Sequence, residues 1–116
     1  MKDYRCLRKK VNLAFAAGDA VASGQVMVEG ELKTAHVRLP NFANSGASGG
    51  VFSLEDVDAY QIYVSDSLAE NANHNLTGLD RVLTGLTTLK LTLPASAGSA
   101  ASALAVLGVW GRDEGA

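Results

Sequence analysis

Two histidines, one cysteine and a loose group of carboxylates are the residues of this sequence whose chemistry could extend beyond packing. His36 stands between Ala35 and Val37 on the outward side of an alternating run, and His74 stands in an asparagine-rich stretch. Neither has a second histidine at the one-turn spacing a metal needs, so both read as surface histidines. Glu55, Asp56 and Asp58, with Asp66 and Glu70 further on, could gather oxygen ligands around calcium. They lack the regular Asp, Asn, Gly and closing Glu of a calcium loop, and a solvated acidic edge that discourages sheet aggregation is the better reading. Gly46, Gly49 and Gly50 have neither the preceding strand, the following helix nor the lysine of a phosphate cradle. Gly46-Ala47-Ser48-Gly49-Gly50 has the spelling Gly-x-Ser-x-Gly, but without a strand before it and a helix after it this is no nucleophile elbow, and no serine hydrolase is expected. Cys6 is alone, which excludes an internal disulfide and a cysteine metal cluster. Arg5 and Arg8 beside it would favour the thiolate, but an inert small apolar side chain is the preferred reading. Asn75, Leu76 and Thr77 form a glycosylation sequon, read as chance without a secretion signal. The sequence therefore predicts no enzyme, no cofactor and no metal.

The elements that position these residues must come from a thin core. Of 116 residues 47% are hydrophobic, but much of that is alanine and only 6% are aromatic, so one domain that leans on a neighbouring subunit is expected. No apolar run reaches the roughly 18 residues that span a bilayer, so a soluble chain without a membrane partner is expected. Charge is segregated along the sequence. Residues 1–10 hold Lys2, Arg5, Arg8, Lys9 and Lys10 against Asp3, whereas the remainder holds five bases and eleven acids. This predicts a basic N-terminal arm, residues 1–10, on a single domain, residues 11–116, with the arm reaching to an acidic protein partner. Nucleic acid is the weaker reading, because basic residues interleaved with aromatics are missing elsewhere.

Val11, Leu13 and Phe15 alternate with small or polar residues, as do Tyr60, Ile62 and Val64, and Leu89, Leu91 and Leu93; each reads as a strand. In the run from Gln25 to Leu39 the apolar parity changes between Leu32 and Ala35. That change requires an extra residue between Glu29 and Thr34, with Gly30 as the expected pivot. Asn41–Gly50 reads as a flexible loop, Ser65–Ser67 as a turn and Glu70–Asn75 as a polar loop. Leu79 to Leu86 fits a strand or a short helical face. Ala103–Trp110 is apolar on both sides, as in a central strand or one covered by a second subunit. Trp110 itself reads first as a plug of the core and second as an interface anchor. With at least five extended segments and no strand-helix rhythm, the fold class is all-β, an antiparallel β-sandwich or jelly-roll-like barrel.

The order VNLAFAAGDA, GELKTAHVRLP, AYQIYVSDS and LTTLKLTLPASAGSAASALAVLGVWG resembles the small β-sandwich virion proteins of tailed bacteriophages, some of them head decoration or cement proteins. The resemblance runs from Val11 to Gly111. It implies a structural protein on the virion capsid surface, made in the host cytoplasm. Such a protein would assemble as a homo-oligomer, commonly a trimer, and bridge subunits of the major capsid protein. Lys2, Arg5, Arg8, Lys9, Lys10 and Trp110 are then the candidate interface residues. The alternative is a tail-associated module that binds a receptor or carbohydrate.

Overall fold

The computed structural model describes residues 4–112. They form seven strands: β1 (Tyr4–Phe15), β2 (Val21–Leu39), β3 (Gly50–Glu55), β4 (Gln61–Leu68), β5 (Ala72–Leu76), β6 (Arg81–Thr92) and β7 (Ala101–Arg112). The ladder runs β1-β7-β2-β6-β3-β4, with β5 also paired to β2, and its pairings are antiparallel. The molecule is the antiparallel β-sandwich that the alternating pattern predicts. The two halves of the sandwich share one strand. Val21–Leu32 of β2 pairs with β6, while its later residues pair with β7 on one edge and with β5 on the other.

The parity change in β2 is met by a bulge between Leu32 and Thr34, where the register with β7 shifts. Lys33 is the extra residue. Before it Ala22, Val28 and Leu32 face the core, and after it Ala35, Val37 and Leu39 do. Gly30, the expected pivot, has a different task. At φ 143° it lies so close to β7 that a Cβ there would stand 2.6 Å from the Trp110 carbonyl oxygen. Gly111 faces it, and its own Cβ would overlap the Glu29 carbonyl. Bare backbone on both strands lets β2 and β7 approach where β2 leaves one half of the sandwich for the other.

The core gathers Leu13 and Phe15 of β1, Ala103, Ala105, Leu107 and Val109 of β7, Phe52 and Leu54 of β3, and the leucines of β6. Small residues on the inner side of β7 suit the thin core expected from composition. Phe15 and Phe42 meet edge to face with ring centroids 5.6 Å apart, which fastens the segment after β2 to the end of β1. That segment is not the loose loop its glycines and serines suggested. Phe42 and Ala47 are buried, Ser45–Ala47 forms one 3-10 turn, and the Asn44 backbone N–H donates to the Ala97 carbonyl at 3.1 Å.

Hydrogen bonding corrects two of the loop expectations, decides for the strand in Leu79–Leu86 and extends β1 toward the N-terminus. Ser65–Ser67 continues β4, which bulges there with Ser65 and Asp66 opposite Phe52, and the Ser65 hydroxyl accepts from the Phe52 N–H at 3.0 Å. Asn73–Asn75 belongs to strand β5, held by five register pairs with β2. Leu83 and Leu86 lie in strand β6, which pairs β2 residue for residue from Leu32 back to Val21. The basic segment from Tyr4 to Lys10 is strand as well, pairing Arg112 to Val106 of β7, so the expected arm is continuous with β1 over its described part.

Gly30→Ala should lose more than about 1 kcal/mol of stability, since it combines a positive φ with a backbone collision. Gly18→Ala, with open space around it, should stay within about 0.5 kcal/mol either way. Denaturant unfolding of the two variants checks the difference.

Candidate binding groove

Alternation along three adjacent strands gives the β1–β7–β2–β5 half a continuous outward face. Its rows follow from the register: Cys6 with Trp110 and Glu31, Arg8 with Gly108 and Thr34, Lys10 with Val106 and His36, Asn12 with Leu104 and Arg38. On β5 the rows extend to Asn75 opposite His36 and Asn73 opposite Arg38. The bulge decides which β2 residues take part. Without the extra Lys33, His36 and Arg38 would keep the inward parity of Val28 and Leu32.

Two hollows lie on this face. One, about 480 Å³, is lined by Asn12, Arg38, Asn41, Asn71, Asn73 and Ser102 over an apolar floor that includes Leu104. The other, about 420 Å³, is lined by Cys6, Arg8, Thr34, His36, Val106 and Gly108 among others. The Val106–His36 row of the second adjoins the Leu104–Arg38 row of the first, so the hollows lie end to end along β7 as a groove in two parts. Each hollow falls in the ~300–1,000 Å³ range typical of small-ligand sites. Val106 is only 8% exposed although it faces outward. The long stems beside it in the register shield it while their polar ends stay in water.

The electrostatics are one-sided. Arg8, Lys10 and Arg38 have no ion-pair partner among the described residues, and the lining side chains include no carboxylate. Lys33, at the rim of the second hollow, differs, because Glu31 and Asp80 (3.2 Å) both pair with it. Hydrogen bonds with Glu31 first, and then Asp80, raise its pKa above the usual 10.5. His36 Nδ1 donates to Asn75 Oδ1 at 3.0 Å, which holds the ring against β5. His74 instead reaches the Ala69 carbonyl at 2.8 Å and plays no part in the groove.

Of the expected interface residues, Arg8, Lys10 and Trp110 share this face. Lys9 has the opposite parity, opposite Leu107, where an inward-turned cation on an edge strand opposes pairing with another sheet. Arg5 stands in β1 opposite Gly111, and Lys2 lies outside the described residues. Trp110 is 45% exposed, at one end of the groove, and does not plug the core. The acidic cluster has local work. The Asp56 carboxylate accepts from the N–H groups of Asp58 and Tyr60 at 2.9 Å, and Glu55 pairs with Lys90 at 3.1 Å. No cluster that could hold a metal ion occurs among the described residues. Sequence reading missed Arg38 and the asparagines. The available signal was that Arg38 shares the parity of His36, already read as outward.

Fold and face together define a β-sandwich with a polar, cationic groove on one side. No protein-family model matches the sequence, and no curated protein is similar to it. Among solved structures the chain is similar to a fucose-binding module of Streptococcus pneumoniae, at 14% identity over 82% of this chain and 70% of that one, with a TM-score of 0.50. It is also similar to a carbohydrate-binding module in complex with calcium and xylotriose (17% identity, 84% and 77% of the chains, TM-score 0.44). A third likeness is to VP2 of the infectious bursal disease virus subviral particle, at 12% identity over 91% of this chain and 33% of that one, TM-score 0.40. At such identities the likeness to the fucose-binding module is one of fold.

Trp110 is the sole tryptophan, so acrylamide should quench the fluorescence of the native protein. Trp110→Ala should cost well under the ~3–5 kcal/mol expected of Phe52→Ala, whose ring is fully buried. Because the Lys33 pKa is raised, its stabilising effect is complete below pH 10.5 and fades as pH rises through the folded value. Lys33→Met should therefore lessen the alkaline fall in melting temperature above that pH.

Proposed function

We propose that this chain is a non-catalytic binding module that recognises carbohydrate in the groove along β7. The observation that carries the reading is the lining itself. Asn12, Asn41, Asn71 and Asn73 surround Arg38 over a floor that includes Leu104. Each amide both donates and accepts, which matches hydroxyls that also do both, and the apolar floor suits the C–H face of a sugar. Amides, cations, hydroxyls and one imidazole hold and orient a ligand, and this supports binding without cleavage. The sandwich shared with a fucose-binding module is in keeping with the reading, as an analogy of fold.

A second reading, a capsid-surface protein that bridges subunits as a decoration or cement protein, is favoured by a separate observation. Trp110, Tyr60, Val57, Met27 and Val82 are large apolar side chains between 45% and 73% exposed. Such side chains are the usual anchors of protein interfaces.

A glycan array separates the two. The protein should bind a restricted set of glycans, and Asn12→Tyr, which fills the groove from an exposed strand position, should abolish the signal without lowering the melting temperature. Retention on undecorated capsids with no glycan bound would replace the first reading by the second.

A further inference from the structure

The ligand class can be narrowed from the charge of the groove, and this step rests on the carbohydrate reading. We infer that the groove selects acidic polysaccharides, chains of uronic acid residues, with Arg38 taking a carboxylate and Lys10 and Arg8 extending the cationic track. The chain as a whole carries net charge −2, yet Arg38 and Arg8 line the two hollows with no carboxylate in either lining, Lys10 stands in the register beside Val106, and Glu31 at the Trp110 end is paired with Lys33. Cations that have no ion-pair partner among the described residues and line a hollow attract a polyanion.

Three features favour a uronate chain over other polyanions. Arg38 is flanked in the register by Leu104 on one side and Asn73 on the other, so its planar fork stands beside an amide and an apolar side chain. A guanidinium binds a carboxylate with two parallel hydrogen bonds, and the neighbouring amides can engage ring hydroxyls at the same time. A nucleic-acid track would instead interleave its cations with stacking aromatics, and among the described side chains Trp110 at one end is the one Phe, Tyr or Trp in the rows of this face. An acidic polypeptide would leave most of the amides without hydroxyl partners. The cations also lie two residues apart along β1, about 6.6 Å at the usual strand rise, so they meet successive points of an extended polymer.

Calorimetric titration with polygalacturonate, alginate and hyaluronan, each beside its carboxyl-reduced counterpart, tests this. At least one acidic chain should bind, and its neutral counterpart should bind roughly tenfold or more weakly, the scale of a lost charge-assisted hydrogen bond. Arg38→Ala should weaken the acidic ligand to a similar extent, and Arg38→Lys should recover only part. Lys10→Gln supplies a second test should Arg38→Ala fail to fold, and binding should fall as salt is raised. Equal affinity for the acidic and reduced chains would overturn the charge selection and leave the carbohydrate reading standing. Tighter binding of polyglutamate or single-stranded DNA than of any uronate chain, or no binding to any of the glycans, would overturn both.

Discussion

The structure depends on one strand being able to serve two halves of a sandwich. β2 runs for 19 residues, and neither half could share it if its side chains kept one parity throughout. A single extra residue, Lys33, reverses that parity between the section paired with β6 and the section paired with β7 and β5. The reversal keeps Ala35, Val37 and Leu39 in the core, each at most 1% exposed. It also turns His36 and Arg38 outward. The same geometric event therefore closes the core and creates the groove. Lys33, left out of the ladder, is held by Glu31 and Asp80, so a bulge that could have been a weak point is tied to the loop before β6.

Packing around this crossing is achieved with small residues more than with large ones. Gly30 and Gly111 bring β2 and β7 backbones together, and Gly24 lies under Val11 of β1, where a Cβ would come within 2.5 Å of its side chain. Ala103 and Ala105 on the inner side of β7 leave room for the leucines of β6. A core built this way gains less from each side chain than one rich in aromatics, since burial scales with apolar area. It gains from close approach instead, and the described buried side-chain polar atoms all find hydrogen-bond partners. The outward side of β7, with Leu104, Val106 and Gly108, is flanked by β1 on one edge and β2 on the other.

Fold class was legible because alternation survives without tertiary information: β1, the start of β4 and the end of β6 all show it, and the parity break in β2 located its bulge to within a few residues. What failed was local polarity as a guide to loops. Ala-Asn-His-Asn-Leu has little intrinsic strand preference, yet it pairs Leu39 to Ala35 because an edge of β2 is open there. Ser-Asp-Ser reads as a turn, but β3 supplies the partner that keeps it extended. For the same reason the groove was only half visible. Arg8, Lys10 and Trp110 drew attention as charged or aromatic residues, whereas Asn12, Asn73 and Arg38 acquire meaning only when β1, β5 and β2 stand side by side.

Charge tells the same story from another direction. In sequence the cations crowd the first ten residues, which suggests a tether reaching away from the domain. In space Arg8 and Lys10 lie in the ladder with Arg38, from a strand far along the chain, and six of the described carboxylates are engaged elsewhere. Asp19 accepts from the Ala16 N–H, Glu70 from the Phe42 N–H, Asp56 holds the β3–β4 turn, and Glu31, Glu55 and Asp80 serve the two lysines outside the cationic rows. These carboxylates stabilise turns and crossings, where a backbone donor or a lysine is close at hand. The cations of the β1–β7–β2 rows have no such local employment among the described residues. Within the described residues, then, the fold uses these carboxylates at turns and on two lysines, and sets the cations of this face along β1 and β2 apart from them.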